Sequence, residues 1–420
     1  MKKILISAYA CIPDRGSEEG NGWNYSSIIS HQGYRVWCIT RNVGQKQIDA
    51  KMTSCPNPNL TFVYVTVPRW IDDVYDKGLF GLYFHYIYWQ WAAAKVALTL
   101  HKKHAFDLVH HVSYTSLQLG SFLYRLNCPF IYGPVGGGQE APGAFRHYFK
   151  QYWVKERLRS AVSKLMLRVN PGCYESVRRA DYVLSWNEDT TRMIHKLGRR
   201  HGVDKVFGGI DKHFIPTEPM HRPARRVLEL LWVGRLMPRK GLELTLHGLS
   251  KVDPACQVHF TIVGDGEMGQ YVSEYIRQYG LEKRVTWAGN VPYTDLKAYY
   301  ANADVFYFTS LRDTGPGQLM EAMGYTLPVV TLHLHGQAEL VNDSTGIRVP
   351  VTDPETVAIQ LGKAIEWMYY NEDKRLEMGL NAFRFAREQC WEKKIARLLR
   401  TYYDPLLNPE PVDEAATARY

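Results

Sequence analysis

The stretch from Leu230 to Val252, LLWVGRLMPRKGLELTLHGLSKV, sets two cations beside a turn that closes one element and opens the next. Its apolar run reads as a strand ending at Gly234; Arg235 and Lys240 fall in the loop, and Gly241 starts a helix. A diphosphate seated there meets both charges and the unpaired N–H groups of a helix N-terminus, which also stabilise a departing nucleoside diphosphate. Alone, the pattern fits a basic surface loop equally well. Further on, DTGPGQLMEAMGYTLPVV carries Asp313 and Glu321 with seven residues between them, and Gly315, Pro316 and Gly317 lie in the gap. A loop entering a helix puts Asp313 and the glycine N–H groups beside a ligand. Glu321, about a turn into the helix, offers two oxygens to vicinal hydroxyls, which ribose and hexoses both present.

Two glycine loops stand in the first half. Gly16-Ser17-Glu18-Glu19-Gly20 follows the first apolar run and opens a helix, and Gly133 to Glu140, GPVGGGQE, follows another. Glycine lets backbone approach a phosphate or sugar closely, although GSEEGNG lacks the GxGxxG dinucleotide spacing. His110 and His111 end the run DLVHHV. Neighbours on a strand point to opposite faces, so one of them faces the ligand side; His110 is taken as that one, with His111 the alternative.

The elements that must hold these groups alternate. KILISAYA, YRVWCIT, LTFVYVTV, FDLVHHV, PFIYGPV and DYVLSW read as strands with helical stretches between several of them. A second set begins near Val227 with LELLWVGRL, VHFTIVGDG, RVTWAGNV, ADVFYFTS and LPVVTL. Such alternation predicts parallel doubly wound sheets, with ligand loops at strand C-termini. At 420 residues two domains are expected, residues 1–216 and 227–390, joined by TEPMHRPARR and facing across a cleft. The pattern leaves open whether the last helix, about 391–408, crosses back to the first domain.

Together the motifs resemble glycosyltransferase family 4. GRLMPRKG, IVGDGE, RVTWAGNVPYTDLKAYYANADVFYFTS, DTGPGQLMEAMGYTLPVV and HGQAELVNDSTGIRVPVTDPE keep the family's order from about Leu230 to Glu388. The resemblance implies an α/β GT-B fold, two facing Rossmann-like domains with a deep cleft, and retention at the anomeric carbon without a bound metal ion. It assigns Arg235 and Lys240, with Gly16 across the cleft, to the donor diphosphate. Asn290, Val291 and Pro292 take the nucleobase, and Glu321 matches the second Glu of the EX7E signature, on the ribose. Asp313 stands where the first Glu is usual, near the donor sugar with Gly315, Gly317 and Gly336. Glu339 completes a GG…E-like segment. Asp is one methylene shorter than Glu, which bears on sugar choice. Gly136, Gly137 and Glu140 are assigned to the acceptor side, and His110 to the reacting sugar.

Composition narrows the setting. Hydrophobic residues make up 45% and charged residues 22%, as in a globular protein, and the +9 net charge suggests an anionic partner. Seven scattered cysteines show no CxxC pair and read as buried thiols of a reducing cytoplasm. The opening MKKILISAYACIP reads as a buried strand rather than a leader. Leu79 to Leu100 is nearly long enough to span a bilayer but holds His85, Gln90 and Lys95, so a buried or interfacial helix is expected. From Phe145 to Val169, seven cations face only Glu156, a net +6 in one aromatic-rich stretch. As a helix it could lie on anionic lipid; an ordinary surface helix is the rival, and nucleic acid is set aside for want of a groove-reading motif.

The expected activity is transfer of a hexose-type sugar from a UDP- or GDP-linked donor to a glycan or lipid-linked acceptor. Family analogy places it in bacterial surface-polysaccharide biosynthesis, in the cytoplasm or peripherally at the inner face of the plasma membrane. No cofactor or metal is expected, since no DxD-like pair or His cluster is present. The alternatives are an epimerase or hydrolase on the same scaffold, and a non-catalytic polysaccharide- or membrane-binding protein.

Overall fold

The structure, a computed structural model, describes residues 1–75, 78–223 and 225–409. Ala224 of the TEPMHRPARR linker lies outside the described residues, as do the side chains of Leu79 and Phe80. Two all-parallel sheets form the frame. The first holds β1 (Lys3–Ala8), β2 (Arg35–Thr40), β3 (Leu60–Tyr64), β4 (Leu108–Ser113), β5 (Phe130–Val135), β6 (Tyr182–Ser185) and β7 (Val203–Lys205). The second holds β8 (Leu228–Val233), β9 (Val258–Val263), β10 (Val285–Gly289), β11 (Val305–Phe308), β12 (Val329–Leu332) and β13 (Gly346–Val349).

Strand order is β3-β2-β1-β4-β5-β6-β7 in one and β10-β9-β8-β11-β12-β13 in the other. Each chain segment winds outward from its first strand, then returns to that strand's other side. The reversal lies between β1 and β4 and between β8 and β11, and loops there diverge to leave a ligand crevice. The Gly16 loop follows β1, Arg235 follows β8 and Asp313 follows β11, so the sheet order itself gathers the chemistry. β4 and β11 are buried along their whole length, so β11 reads as an unbroken apolar run and the polar His110, His111 and Ser113 of β4 are buried with it.

The helices that matter for the site are α1 (Ser17–His31), α2 (Gly78–His104), α3 (Trp153–Val169), α4 (Glu188–Lys196), α5 (Leu242–Ser250), α6 (Leu296–Asn302), α7 (Gly317–Gly324), α8 (His335–Leu340) and α9 (Trp391–Leu398). Helix α2 is the aromatic stretch with the near-membrane length. Tyr86, Trp89, Ala93 and Ala97 lie buried in the first half's core, and among the described residues no helix is long and apolar enough to cross a membrane. Trp391, Ile395 and Leu398 of α9 pack with Ile4, Ile6 and Tyr25, so this helix near the end of the described residues seats on the first sheet. Backbone bonds from Ile210 to Gln389 and from Trp391 to Ile210 fix that return.

The basic stretch departs from its expected single helix. Residues 143–152 form 3-10 turns with a left-handed kink at Lys150, φ 47°, and α3 begins only at Trp153. Phe145, Tyr148 and Phe149 are fully buried in the core of the second half, so they are not available to lipid. Tyr148 also bonds His247 at 2.9 Å. Burying three aromatics against the facing half outweighs continuing the helix; each is worth roughly 1.5–3 kcal/mol.

Candidate functional site

A cavity of about 490 Å³ lies at the C-terminal ends of β8, β9 and β10. Arg235, Asn290, Val291 and Glu321 line it, together with Gly264, Asp265 and Gly266 of the IVGDGE turn. Pro292 stands beside this group, exposed and outside the lining. Glu321 accepts from the Tyr293 hydroxyl at 3.2 Å and the Tyr300 hydroxyl at 2.8 Å. Burial pushes its carboxyl above the ordinary range, and the two phenols offset part of that rise. Sequence reading missed both tyrosines. They stand in the quoted PYTDLKAYY segment, where nothing distinguishes them from core aromatics until α6 turns Tyr300 toward α7.

The basic loop is arranged differently from a simple pair. Arg235 is 70% exposed and approaches Glu267 at 3.9 Å, whereas Lys240 is buried with its ammonium 2.5 Å from Asp313. Arg239, missed by sequence reading although adjacent to Lys240, reaches the same carboxylate at 3.3 Å. Burial alone would raise the Asp313 carboxyl; Lys240, Arg239 and Arg312 outweigh it and hold it below the ordinary range. Burial lowers the Lys240 ammonium, with Asp313 opposing. Gly241 makes the turn possible: its φ is 67°, and a Cβ there would strike the Thr309 carbonyl.

Across the cleft, a second cavity of about 390 Å³ joins the two halves, lined by Gly16, Ser17 and Asn21 on one side and Gly317 and Glu321 on the other. Tyr293 and Glu321 line both cavities, so one space leads into the next. Beside Gly16, Glu18 accepts from the Thr115 N–H at 3.1 Å and from its hydroxyl, and burial raises its carboxyl to about 7. The Thr115 carbonyl in turn accepts from Gly136 N–H at 3.0 Å. A Cβ on Gly136 would strike the Thr314 methyl, which is how closely the two halves meet.

Several expected residues serve this junction. Gly315 lies under the Trp186 ring and Gly336 under the Thr314 carbonyl, so neither has room for a side chain. Gly137 is buried, donating to Thr190 at 3.1 Å. Glu140 turns its carboxylate to Lys164 at 2.6 Å, while its carbonyl is 3.0 Å from His335. Glu339 bonds the Glu188 N–H at the start of α4 and Lys205 at 3.0 Å, across the halves rather than inside a cavity. His110 is fully buried between Tyr403 at 2.8 Å and the Gly133 carbonyl at 2.6 Å, and His111 packs on the other face of β4 against Tyr132. Burial pushes them down to about 3 and about 4, so both imidazoles are neutral near pH 7. With both its nitrogens occupied inside the protein, His110 does not open onto either cavity.

Residues 228–366 match the family described as glycosyl transferases group 1. Among curated relatives, the putative colanic acid biosynthesis glycosyltransferase WcaL of Escherichia coli K12 is 30% identical over 200 residues, covering 46% of this chain and 49% of that protein. The chain thus spans about half the length of that relative. A glycosyltransferase from Rickettsia africae has a similar structure, TM-score 0.63 at 16% identity, covering 97% and 99% of the two chains. Anabaena HepE, solved in complex with UDP-glucose, gives 0.57 at 18%, covering 96% and 100%. The chain therefore has the two-domain α/β architecture of GT-B glycosyltransferases, and residues 228–366 of its second half are similar to the family described as glycosyl transferases group 1.

Proposed function

We propose that the protein is a retaining glycosyltransferase that moves a hexose-type sugar from a UDP- or GDP-linked donor to a glycan or lipid-linked acceptor, without a metal ion. The carrying observation is the 490 Å³ cavity, which brings Arg235, Asn290, Val291 and Glu321 together at the end of a cleft between two doubly wound sheets. The nucleobase lies against Asn290 and Val291, and Glu321 receives the ribose hydroxyls. The diphosphate runs past Arg235 toward Lys240 and Gly16, and the sugar enters beside Asp313 and Gly317. The UDP-glucose complex of HepE supports a sugar nucleotide as ligand, and the likeness to WcaL, a putative colanic acid biosynthesis glycosyltransferase, supports a role in polysaccharide synthesis.

In this reading the acceptor hydroxyl attacks the anomeric carbon from the face the diphosphate leaves. A new C–O bond forms, the bond to the phosphate oxygen breaks, and the hydroxyl proton passes to that phosphate. Lys240, Arg235 and backbone N–H groups stabilise the charge that develops. His110, closed into the core, acts on the sugar only by supporting the β4 end. The experiment is a panel of sugar nucleotides with EDTA present, with and without simple glycoside acceptors. Release of nucleoside diphosphate from one of them, with the sugar transferred in the donor's own anomeric configuration, supports the reading. Donor isomerised without transfer favours an epimerase. Binding without turnover favours a non-catalytic protein.

A further inference from the structure

A third cavity, of about 210 Å³, opens between α3 and the loop after β8, and it shares no lining residue with the other two. Its floor is apolar, from Phe149, Tyr152, Met237 and Pro238. Its walls carry Lys155, Arg159, Arg239 and Arg312 against Glu156 and Glu267, a net +2. Glu156 alone serves two of these guanidiniums, Arg312 at 2.7 Å and Arg159 at 3.1 Å, and Arg239 is spent on Asp313. Lys155 makes no ion pair among the described residues. Burial, then Arg159, pushes the Arg312 guanidinium down to about 10 although Glu156 opposes. Cations crowded this closely against an apolar floor stand short of negative charge, the condition an anion relieves.

The same helix carries the second half of the observation. Val154, Leu158, Leu165 and Val169 are 75%, 49%, 56% and 58% exposed. At 3.6 residues per turn they form one stripe along α3, flanked by Lys155 on one side and Arg157, Lys164 and Arg168 on the other. Glu156 and Arg159 face inward to the cavity. An apolar stripe edged by cations matches one chemistry, a hydrocarbon chain joined to an anionic head.

We propose that this cavity receives the phosphate of an anionic lipid, whose chain leaves beside Lys155 and lies along the Val154–Val169 stripe. It rests on the glycosyltransferase reading only in giving that lipid the role of acceptor; the site itself stands on α3 and the loop after β8. The phosphate meets Lys155 and the N–H groups of Arg159 and Arg312 that Glu156 leaves over. Because the walls come from both halves, the lipid binds at their junction, beside the Asp313 loop.

Calorimetric titration of the whole chain with dodecyl phosphate below its micelle concentration, with and without UDP, tests this. Dodecyl phosphate is expected to bind at least tenfold tighter than dodecyl maltoside or inorganic phosphate, whether or not UDP is present. Lys155→Glu and, separately, Leu158→Gln should each weaken it severalfold, both being exposed positions, while UDP affinity stays the same. Equal binding of the maltoside would show that charge is not read, and equal binding of inorganic phosphate that the chain is not read. Displacement by UDP would make the cavity part of the donor's phosphate site. Each of these, or no binding, overturns the proposal. Failure of UDP itself to bind strikes the transferase reading and leaves the lipid result standing.

Discussion

Lys240 holds its ammonium 2.5 Å from the Asp313 carboxylate, with both groups nearly out of solvent. The residue assigned to the diphosphate and the one assigned to the sugar therefore form a single unit. A diphosphate arriving at Lys240 competes with Asp313 for it. Asp313→Asn is expected to tighten UDP or GDP binding while lowering stability by about 1–3 kcal/mol, since a buried ammonium loses its partner. Asp313 titrates below its ordinary value, so its stabilisation is present above about pH 4 and lost as pH falls through the folded value. Acid unfolding curves of the Asn variant should lack that limb, and calorimetry checks the affinity.

Glu321 receives hydrogen bonds from two phenols while its carboxyl is raised by burial. Glu321→Gln should lower donor use at least tenfold, on the order of 1.4 kcal/mol, in a well-folded protein. Tyr300→Phe removes one stabiliser of the charged form. Nucleotide affinity, which needs the carboxylate, should then fall off at higher pH than in the parent.

Burial raises the Glu18 carboxyl to about 7, opposed by the hydrogen bonds from the Thr115 hydroxyl and N–H. A raised folded value means the folded state binds more protons than the unfolded chain between about pH 4.5 and 7, so stability falls as pH rises through that window. Glu18→Gln should be more stable than the parent at pH 8, by about 1–3 kcal/mol, and nearly equal to it at pH 4.5. Thermal melts at the two pH values decide it; equal differences at both would remove the effect.

Glu156 joins α3 of the first half to Arg312 of the second. Glu156→Gln leaves Arg159 and Arg312 crowded without their shared carboxylate, and about 3 kcal/mol should be lost. Denaturant midpoints measure this, and a smaller loss in high salt is expected because screening relieves the repulsion.

Much of this site was legible in sequence because sheet order and loop position follow from alternation. Arg235, Asn290, Val291 and Glu321 come together because Arg235 follows β8, Asn290 and Val291 follow β10, and Glu321 lies one turn into α7, all at the C-terminal edge of one sheet. The strands β7 (VDK) and β13 (GIRV) escaped notice because neither carries a run of apolar residues. His110 shows the limit of alternation: it identifies a face of β4 but not what covers that face, which is Tyr403, 293 positions away. The first part of the 145–169 stretch shows the same limit. Its charge was visible, but Phe145 and Phe149 find their partners in the other half of the chain. Arg239 and Arg312 were overlooked beside their neighbours, although each adjoins a residue that had been singled out.

The central claim is that the cavity at the ends of β8, β9 and β10 holds the nucleotide of a sugar-nucleotide donor. Isothermal titration of the parent, Lys240→Ala and Glu321→Gln with UDP and with GDP, in EDTA, tests it most directly. One-site binding of at least one nucleotide is expected, weakened by about 1.5–3 kcal/mol in Lys240→Ala and clearly weakened in Glu321→Gln. Binding of neither nucleotide, or equal affinity in all three folded proteins, would contradict the account.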